Sequence, residues 1–176
     1  DYLLGDFNKK TTDALRSYQD NYEANIRSIY DKQIYDDAKV NLTVNYALAL
    51  RKLYSLDIAL NNLEDLKRRV TLKDKVCNSD SLAKLYYNLI VLHIEKDQYH
   101  DAKESFEKLI SIQPSFVNDK SCFLIQGLIN DGLNEVALSV DCYKKFNRKL
   151  KRNNLLKGFV NMLSGILFRR NDEYDL

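Results

Sequence analysis

The residues that could serve as nucleophiles or metal ligands are few and widely spaced. The chain has three cysteines, Cys77, Cys122 and Cys142, and two histidines, His93 and His100. No two cysteines stand in CxxC spacing, so neither a zinc site nor a disulfide framework is indicated. An odd set of unpaired cysteines is typical of a reducing compartment, and we therefore expect a cytoplasmic location.

Sequence motifs of known enzyme classes are also absent. The chain contains no glycine-rich phosphate loop, no HExxH and no GxSxG. His93 falls at a predicted core position and His100 at a predicted turn, so neither is nominated as a catalytic residue. We expect a non-catalytic protein with no cofactor and no bound metal.

The strongest concentration of charge is a basic run late in the chain. On a helix it covers a broad arc opposite Phe146 and Leu150. One interpretation is a solvated face whose charge suits a helix C-terminus, and the other is a docking site for an acidic partner or nucleic acid. No recognition-helix pattern accompanies the run, and the net charge of the chain is only +2. We therefore expect no direct binding of nucleic acid by this segment. The run consists of Lys144, Lys145, Arg148, Lys149, Lys151 and Arg152.

The elements that must position these side chains are helices. Within residues 82–114, apolar residues recur at steps of three and four, first around Leu85 and Leu89 and again around Ala102 and Leu109. Pro114 ends the second stripe because it lacks an N–H and disfavours helical geometry in the residue before it. The chain has five glycines and one proline, which favours an all-α protein, and 176 residues suffice for one domain.

Residues 83–116 resemble a tetratricopeptide repeat, a helix-turn-helix unit with a fixed repeat length. Two positions depart from the family pattern, because Ile90 and Leu109 stand where small residues are usual, and this implies a wider helix separation. The positions that match the family pattern are Tyr86, Leu89, Tyr99, Ala102, Phe106 and Pro114.

The same frame can be laid over two further segments, residues 40–73 and 117–150. In the first, Ala59 takes the position of Ala102. The interval between these two alanines is longer than one repeat, and the extra residues are assigned to a longer loop at 74–82. In the second, Val136 follows Ala102 by one repeat length. We therefore predict an all-α, right-handed α-solenoid of three degenerate tetratricopeptide-like hairpins. Residues 1–39 form an N-terminal helix and residues 151–170 a capping helix. The alternative is that the terminal helix forms a homodimer interface. This helix is too short and too polar to span a membrane.

The resemblance also implies a binding groove. In tetratricopeptide arrays the first helices of successive units line a concave surface, and their second, fifth, sixth and ninth positions face it. Asparagine stands at the sixth position in two units, as Asn45 and Asn88, where an amide could pair with the backbone of a bound peptide or simply be hydrated. The implied groove consists of Asn41, Val44, Asn45, Leu48, Lys84, Tyr87, Asn88, Val91, Asn118, Ser121, Cys122 and Ile125.

The residues of the implied groove differ from those of one known group of peptide-binding repeat proteins and are more similar to those of another. The carboxylate clamp of chaperone-binding repeats is disfavoured, because only Asn88 matches it. An apolar groove with asparagines on irregular repeats is more similar to the intracellular pheromone receptors of the Rgg and PlcR type. That resemblance implies a peptide-sensing domain of a transcriptional regulator, although the 176 residues contain no helix-turn-helix DNA-binding segment. The alternative is a structural adaptor that joins larger proteins through its outer faces or its terminal helix.

Overall fold

The structure, a computed structural model, describes residues 32–72 and 77–150 and seven isolated positions nearer the termini. Within these residues every regular element is a helix, so the predicted all-α class is confirmed. The elements are α1 (Lys32–Leu53), α2 (Leu56–Leu72), α3 (Ser79–Glu95), α4 (Tyr99–Ile112), a 3-10 helix (Pro114–Asn118), α5 (Lys120–Gly132) and α6 (Val136–Lys149).

Two helices begin earlier than the sequence frame placed them. Helix α1 begins at Lys32 and runs through the predicted boundary between residues 39 and 40. Helix α3 begins at Ser79, so the last part of the predicted loop at 74–82 is its first turn. The Asn78 side chain accepts a hydrogen bond from the backbone N–H of Ser81 at 2.7 Å. This is an N-cap, and it explains why the helix begins there.

Most of the predicted terminal helices lies outside the described residues. Near the N-terminus the described positions Asp13, Arg16, Ser17 and Asp20 are helical. Near the C-terminus Gly158, Val160 and Met162 are helical, and the Val160 side chain is fully buried.

The chain divides into two compact units, Asp1–Leu92 and His93–Leu176. In the first unit, helices α1 and α2 pack against each other and α3 completes the core. Each helix contributes buried apolar residues at steps of three and four, which is the pattern that predicted it. The buried core residues on these helices are Val40, Val44, Ala47, Leu50, Ala59, Leu60, Leu63, Leu66, Leu85, Leu89 and Leu92.

In the second unit, α5 packs against both α4 and α6. One buried cluster of this unit includes Tyr143 and Phe146 of α6, with Val160 packed into the same cluster. Asp119 caps α5, because its carboxylate accepts a hydrogen bond from the Ser121 N–H at 2.7 Å. This bond holds the pKa of Asp119 below its usual value.

Three interhelical turns share one hydrogen-bonding pattern. In each, a backbone N–H bonds to the carbonyl five residues earlier: Ser55 to Leu50, Gln98 to His93 and Glu135 to Asn130. In each turn, the backbone N–H of the residue four positions after the donor residue donates to the carbonyl of that donor residue. This later residue is small and fully buried. These residues are Ala59, Ala102 and Ser139. The third turn therefore aligns with the others through Ser139 and not through the predicted Val136, which is three residues earlier.

Small residues permit the closest contact between α5 and α6. The hydroxyl of Ser139 donates to the carbonyl of Gly127 at 2.8 Å, and both residues are buried. The Tyr143 ring lies directly over Gly127, in the space that a side chain there would occupy. Gly127 and Ser139 are twelve residues apart, as are the fully buried Ala47 and Ala59 in the first unit.

Tyr143→Phe is expected to raise the free energy of unfolding by about 1 kcal/mol at neutral pH. The Tyr143 hydroxyl is buried beside Ser139 but makes no hydrogen bond of normal geometry among the described residues, so the native state carries most of the cost of its desolvation. Burial also raises the pKa of Tyr143 to about 12, whereas an unfolded tyrosine titrates near 10.

Because the pKa of Tyr143 is raised in the folded state, the stability advantage of Tyr143→Phe is expected to increase at alkaline pH. Above pH ~10 the unfolded chain loses the tyrosine proton before the folded chain does, so the stability present below pH ~10 falls between about 10 and 12. The phenylalanine variant should not lose this stability as the pH rises. Urea unfolding of both proteins at about pH 8 and about pH 11 measures it. A variant less stable than the parent at pH 8 would mean that the hydroxyl stabilises the native state.

Candidate functional site

A polar network joins α1 to the beginning of α3 in the first unit. The carboxylate of Asp37 accepts hydrogen bonds from the Asn78 backbone N–H and side-chain amide, both at 2.7 Å, and from the Cys77 thiol at 3.1 Å. Asn78 in turn caps α3 through Ser81. One carboxylate therefore holds the segment that starts α3 against α1.

Asn41 extends this network one turn along α1. Its amide nitrogen donates to the Ser81 hydroxyl at 2.9 Å and to the Asp37 carbonyl at 3.0 Å. Its amide oxygen accepts from the ammonium group of Lys84 at 3.2 Å. Because both ends of the amide are engaged within the chain, Asn41 serves to align the helices, and a ligand would have to displace an existing bond to use it.

These contacts show that α1 and α3 run in the same direction here. Asp37 meets Asn78, and one turn later Asn41 meets Ser81 and Lys84, so an advance along one helix is an advance along the other. From this register we expect Asn45 to lie level with Asn88 one turn further on, and Leu48 level with Val91 after a second turn. We call these six residues, Asn41, Asn45, Leu48, Lys84, Asn88 and Val91, the α1/α3 ladder.

The α1/α3 ladder is accessible to a ligand. Asn45 and Lys84 are exposed, and the remaining members are partly buried. The Asn88 amide nitrogen donates to the Lys84 carbonyl at 2.7 Å, which leaves its oxygen as the acceptor that a ligand N–H can use. Tyr87, on the same stripe of α3, exposes 36% of its surface. The ladder therefore offers amide groups and apolar surface side by side.

Other residues of the predicted groove are less accessible. Val44 is 3% exposed and belongs to the core of the first unit. In the second unit Cys122 and Ile125 are buried, at 3% and 5% exposure. A peptide lying on the surface could not touch these three side chains. Of the other two members, Asn118 is exposed and Ser121 is partly buried.

The turn geometry explains part of this difference. If Ser139 is aligned with Ala59 and Ala102, the third repeat begins at Lys120 instead of residue 117. The groove positions that the resemblance implies for that hairpin then become Ser121, Leu124, Ile125 and Leu128, of which the two leucines were missed by the sequence reasoning. Both leucines are partly buried. The available signal was the pair of small residues Gly127 and Ser139, whose spacing equals that of Ala47 and Ala59.

The basic run is only partly available as a charged surface. Lys145 pairs with Asp141 at 2.6 Å and holds the pKa of that carboxyl below its usual value. The ammonium group of Lys149 donates to the Asn118 carbonyl at 2.6 Å and lies 5.1 Å from the centre of the Phe123 ring. All four described members of the run are exposed, whereas Lys151 and Arg152 lie outside the described residues.

The cysteines and histidines occupy positions unsuited to chemistry. None of the three cysteines forms a disulfide and all three are buried; burial raises the pKa of Cys122 to about 11, which disfavours the reactive thiolate. His93 is buried, with its Nδ1 at 3.1 Å from the side-chain oxygen of Gln98, and His100 is exposed. Over the described part of the chain, no three His, Cys, Asp or Glu side chains are grouped so that they could hold a metal ion. Nor does any described helix combine the length and apolar character needed to cross a membrane.

No protein-family model, curated protein or solved structure was found to match this chain.

Proposed function

We propose that this protein is a non-catalytic binding module that grips an extended peptide or protein segment along the α1/α3 ladder. The observation that carries the proposal is the parallel alignment of α1 and α3, fixed by the hydrogen bonds of Asn41 to Ser81 and Lys84. Parallel first helices in adjacent hairpins are what a tetratricopeptide-like solenoid requires. The three turns of shared geometry also favour that architecture.

The chemistry of the ladder suits a peptide backbone. Asn45 can both donate and accept, and the Asn88 oxygen can accept a peptide N–H, so together they can pair with one or two peptide groups. Leu48, Val91 and Tyr87 supply apolar surface for side chains next to those groups. In this proposal the protein acts in the reducing environment of the cytoplasm, as the peptide-sensing domain of a transcriptional regulator.

The alternative function is that of an assembly adaptor, and the observation that favours it is the exposed basic surface of α6. Lys144 and Arg148 remain exposed there, next to the ion pair of Lys145 with Asp141. An acidic protein partner would dock on this face, or a second copy would join through the terminal helix. Replacing Lys144 and Arg148 by glutamate should then abolish partner binding and leave peptide binding intact.

Replacing both Asn45 and Asn88 by alanine is expected to weaken peptide binding about 30-fold. Each substitution removes one hydrogen bond worth about 1 kcal/mol. The probe is the set of peptides that a phage-displayed random dodecapeptide library yields against the wild-type protein, with affinity measured by fluorescence anisotropy.

Asn62→Ala is the matched control for that experiment. The Asn62 amide donates to the Ile58 carbonyl at 2.8 Å, which is the same intrahelical bond that Asn88 makes, but it lies on α2, away from the ladder. The control should bind the selected peptides as the wild type does. Selected peptides that bind the double variant with unchanged affinity would exclude the ladder as the site. Failure of the library to yield any binder would contradict peptide binding and favour the adaptor.

A further inference from the structure

The α1/α3 ladder changes its chemistry along its length. At its beginning, the exposed ammonium group of Lys84 lies beside the amide oxygen of Asn41. Three residues later on α3 the stripe continues with Tyr87, and at the far end Leu48 and Val91 present partly buried aliphatic surface. A ligand that follows the ladder therefore meets a cation first and apolar surface last.

The distance between these two ends selects a ligand conformation. Val91 follows Lys84 by seven helical positions, so their backbone positions are about 10.5 Å apart along the helix axis. A polyproline-II segment rises about 3.1 Å per residue with three residues per turn, so residues i and i+3 lie on the same side about 9 Å apart. In a β-strand, residues three apart point to opposite faces and could not both meet the ladder.

From this match we infer that the preferred ligand is a polyproline-II-like segment with a carboxylate side chain three residues away from a large aliphatic one. The inference rests on the proposed function, because it specifies the ligand of the same site. The carboxylate pairs with Lys84, and the aliphatic side chain packs on Leu48 and Val91. The intervening peptide groups face Asn45 and Asn88, where an unpaired polyproline-II backbone still has its N–H and carbonyl groups to offer.

An array of acetylated and amidated dodecapeptides tests the spacing. Each peptide carries one Glu and one Leu, separated by one to five positions in either order, in a background of Ala, Ser and Gln. Binding to the wild-type protein should be strongest at a separation of three. It should be about tenfold weaker at two or four, because the leucine then loses most of its apolar contact. The peptides enriched from the phage library are included on the same array.

A double-mutant cycle tests the role of Lys84. Changing the peptide Glu to Gln should weaken binding to the wild type about threefold at low salt, which is the range of an exposed ion pair, and less at high salt. Lys84→Met should abolish that difference, whereas Lys108→Met, at an exposed position on α4, should retain it. The cycle compares peptides on one variant, so a small loss of stability in Lys84→Met does not affect the result.

The outcomes separate this inference from the proposed function. Peptide binding that ignores the Glu–Leu separation, or a Glu-to-Gln effect that persists in Lys84→Met, would overturn the ligand pattern and leave peptide binding at the ladder standing. Absence of binding by every peptide on the array, the library-derived ones included, would overturn both.

Discussion

Gly127→Ala is expected to lower the free energy of unfolding of the second unit by about 2 kcal/mol, because it overpacks the core. A Cβ atom at this position would lie 2.6 Å from Cδ1 and 3.2 Å from Cζ of the Tyr143 ring. Tyr143 is fully buried, so its ring cannot move aside without disturbing the core around Phe146. Overpacking of this kind costs about 1–3 kcal/mol, which outweighs the gain of up to ~1 kcal/mol in helix propensity.

Gly158→Ala is the matched control for Gly127→Ala. Gly158 is also helical, but among the described residues no atom outside its chain neighbours and its own helix backbone lies within 4 Å of the position that a Cβ would take. The same substitution should therefore leave stability unchanged or raise it by up to ~1 kcal/mol. Urea unfolding followed by far-UV circular dichroism measures both variants, and hydrogen exchange in peptides from α5 and α6 locates the loss. Equal exchange in these helices before and after Gly127→Ala would mean that α5 and α6 do not pack so closely.

Asp37→Ala is expected to destabilise the first unit by about 2 kcal/mol, because hydrogen bonds to a charged acceptor are lost. The substitution removes the acceptor of the three hydrogen bonds donated by Asn78 and Cys77. Hydrogen bonds to a charged group are worth about 1.5–3 kcal/mol each when no water replaces them. Asn78 is exposed and can bind water instead, whereas Cys77 is buried, so the net loss is well below the sum.

Asp65→Ala is the control for a surface carboxylate without such a network. Asp65 forms ion pairs with Arg68 and Arg69, both of them well exposed, and pairs of this kind contribute less than ~1 kcal/mol. Hydrogen exchange at the start of α3 should accelerate in Asp37→Ala and stay unchanged in Asp65→Ala. The Asp37 variant should also bind the library-selected peptides more weakly, because α3 loses its alignment to α1. Unchanged exchange at Ser79 to Ser81 would show that the Asn78 cap holds α3 without Asp37.

The helical class and most of the buried stripes could be predicted from the sequence. Burial on a helix follows a period of 3.6 residues, and Leu85, Leu89 and Leu92 obey it without reference to any partner. Ala59 and Ala102 were assigned to the same position of the repeat from the sequence, and both are fully buried. Pro114 was expected to end a helix, and α4 ends two residues before it.

The alignment of the third hairpin could not be predicted by counting a fixed repeat length. A 3-10 helix begins at Pro114, and with Asp119 it delays α5 so that Ser139, three residues after Val136, takes the position of Ala102. Apolar periodicity is insensitive to such an insertion, because shifting a stripe by three or four residues leaves it on the same helix face.

What the sequence by itself determined is therefore local: the helices, their apolar faces and the small residues at which two helices can approach. Only the tertiary structure decided which polar groups are already engaged. Asn41 and Asn45 are the same residue type on one face of α1, yet Asn41 is bonded to Ser81 and Lys84 while Asn45 is exposed. The physical reason is that hydrogen-bond partners about 40 residues apart meet only after α1 and α3 have packed, and no periodicity along one helix encodes that meeting.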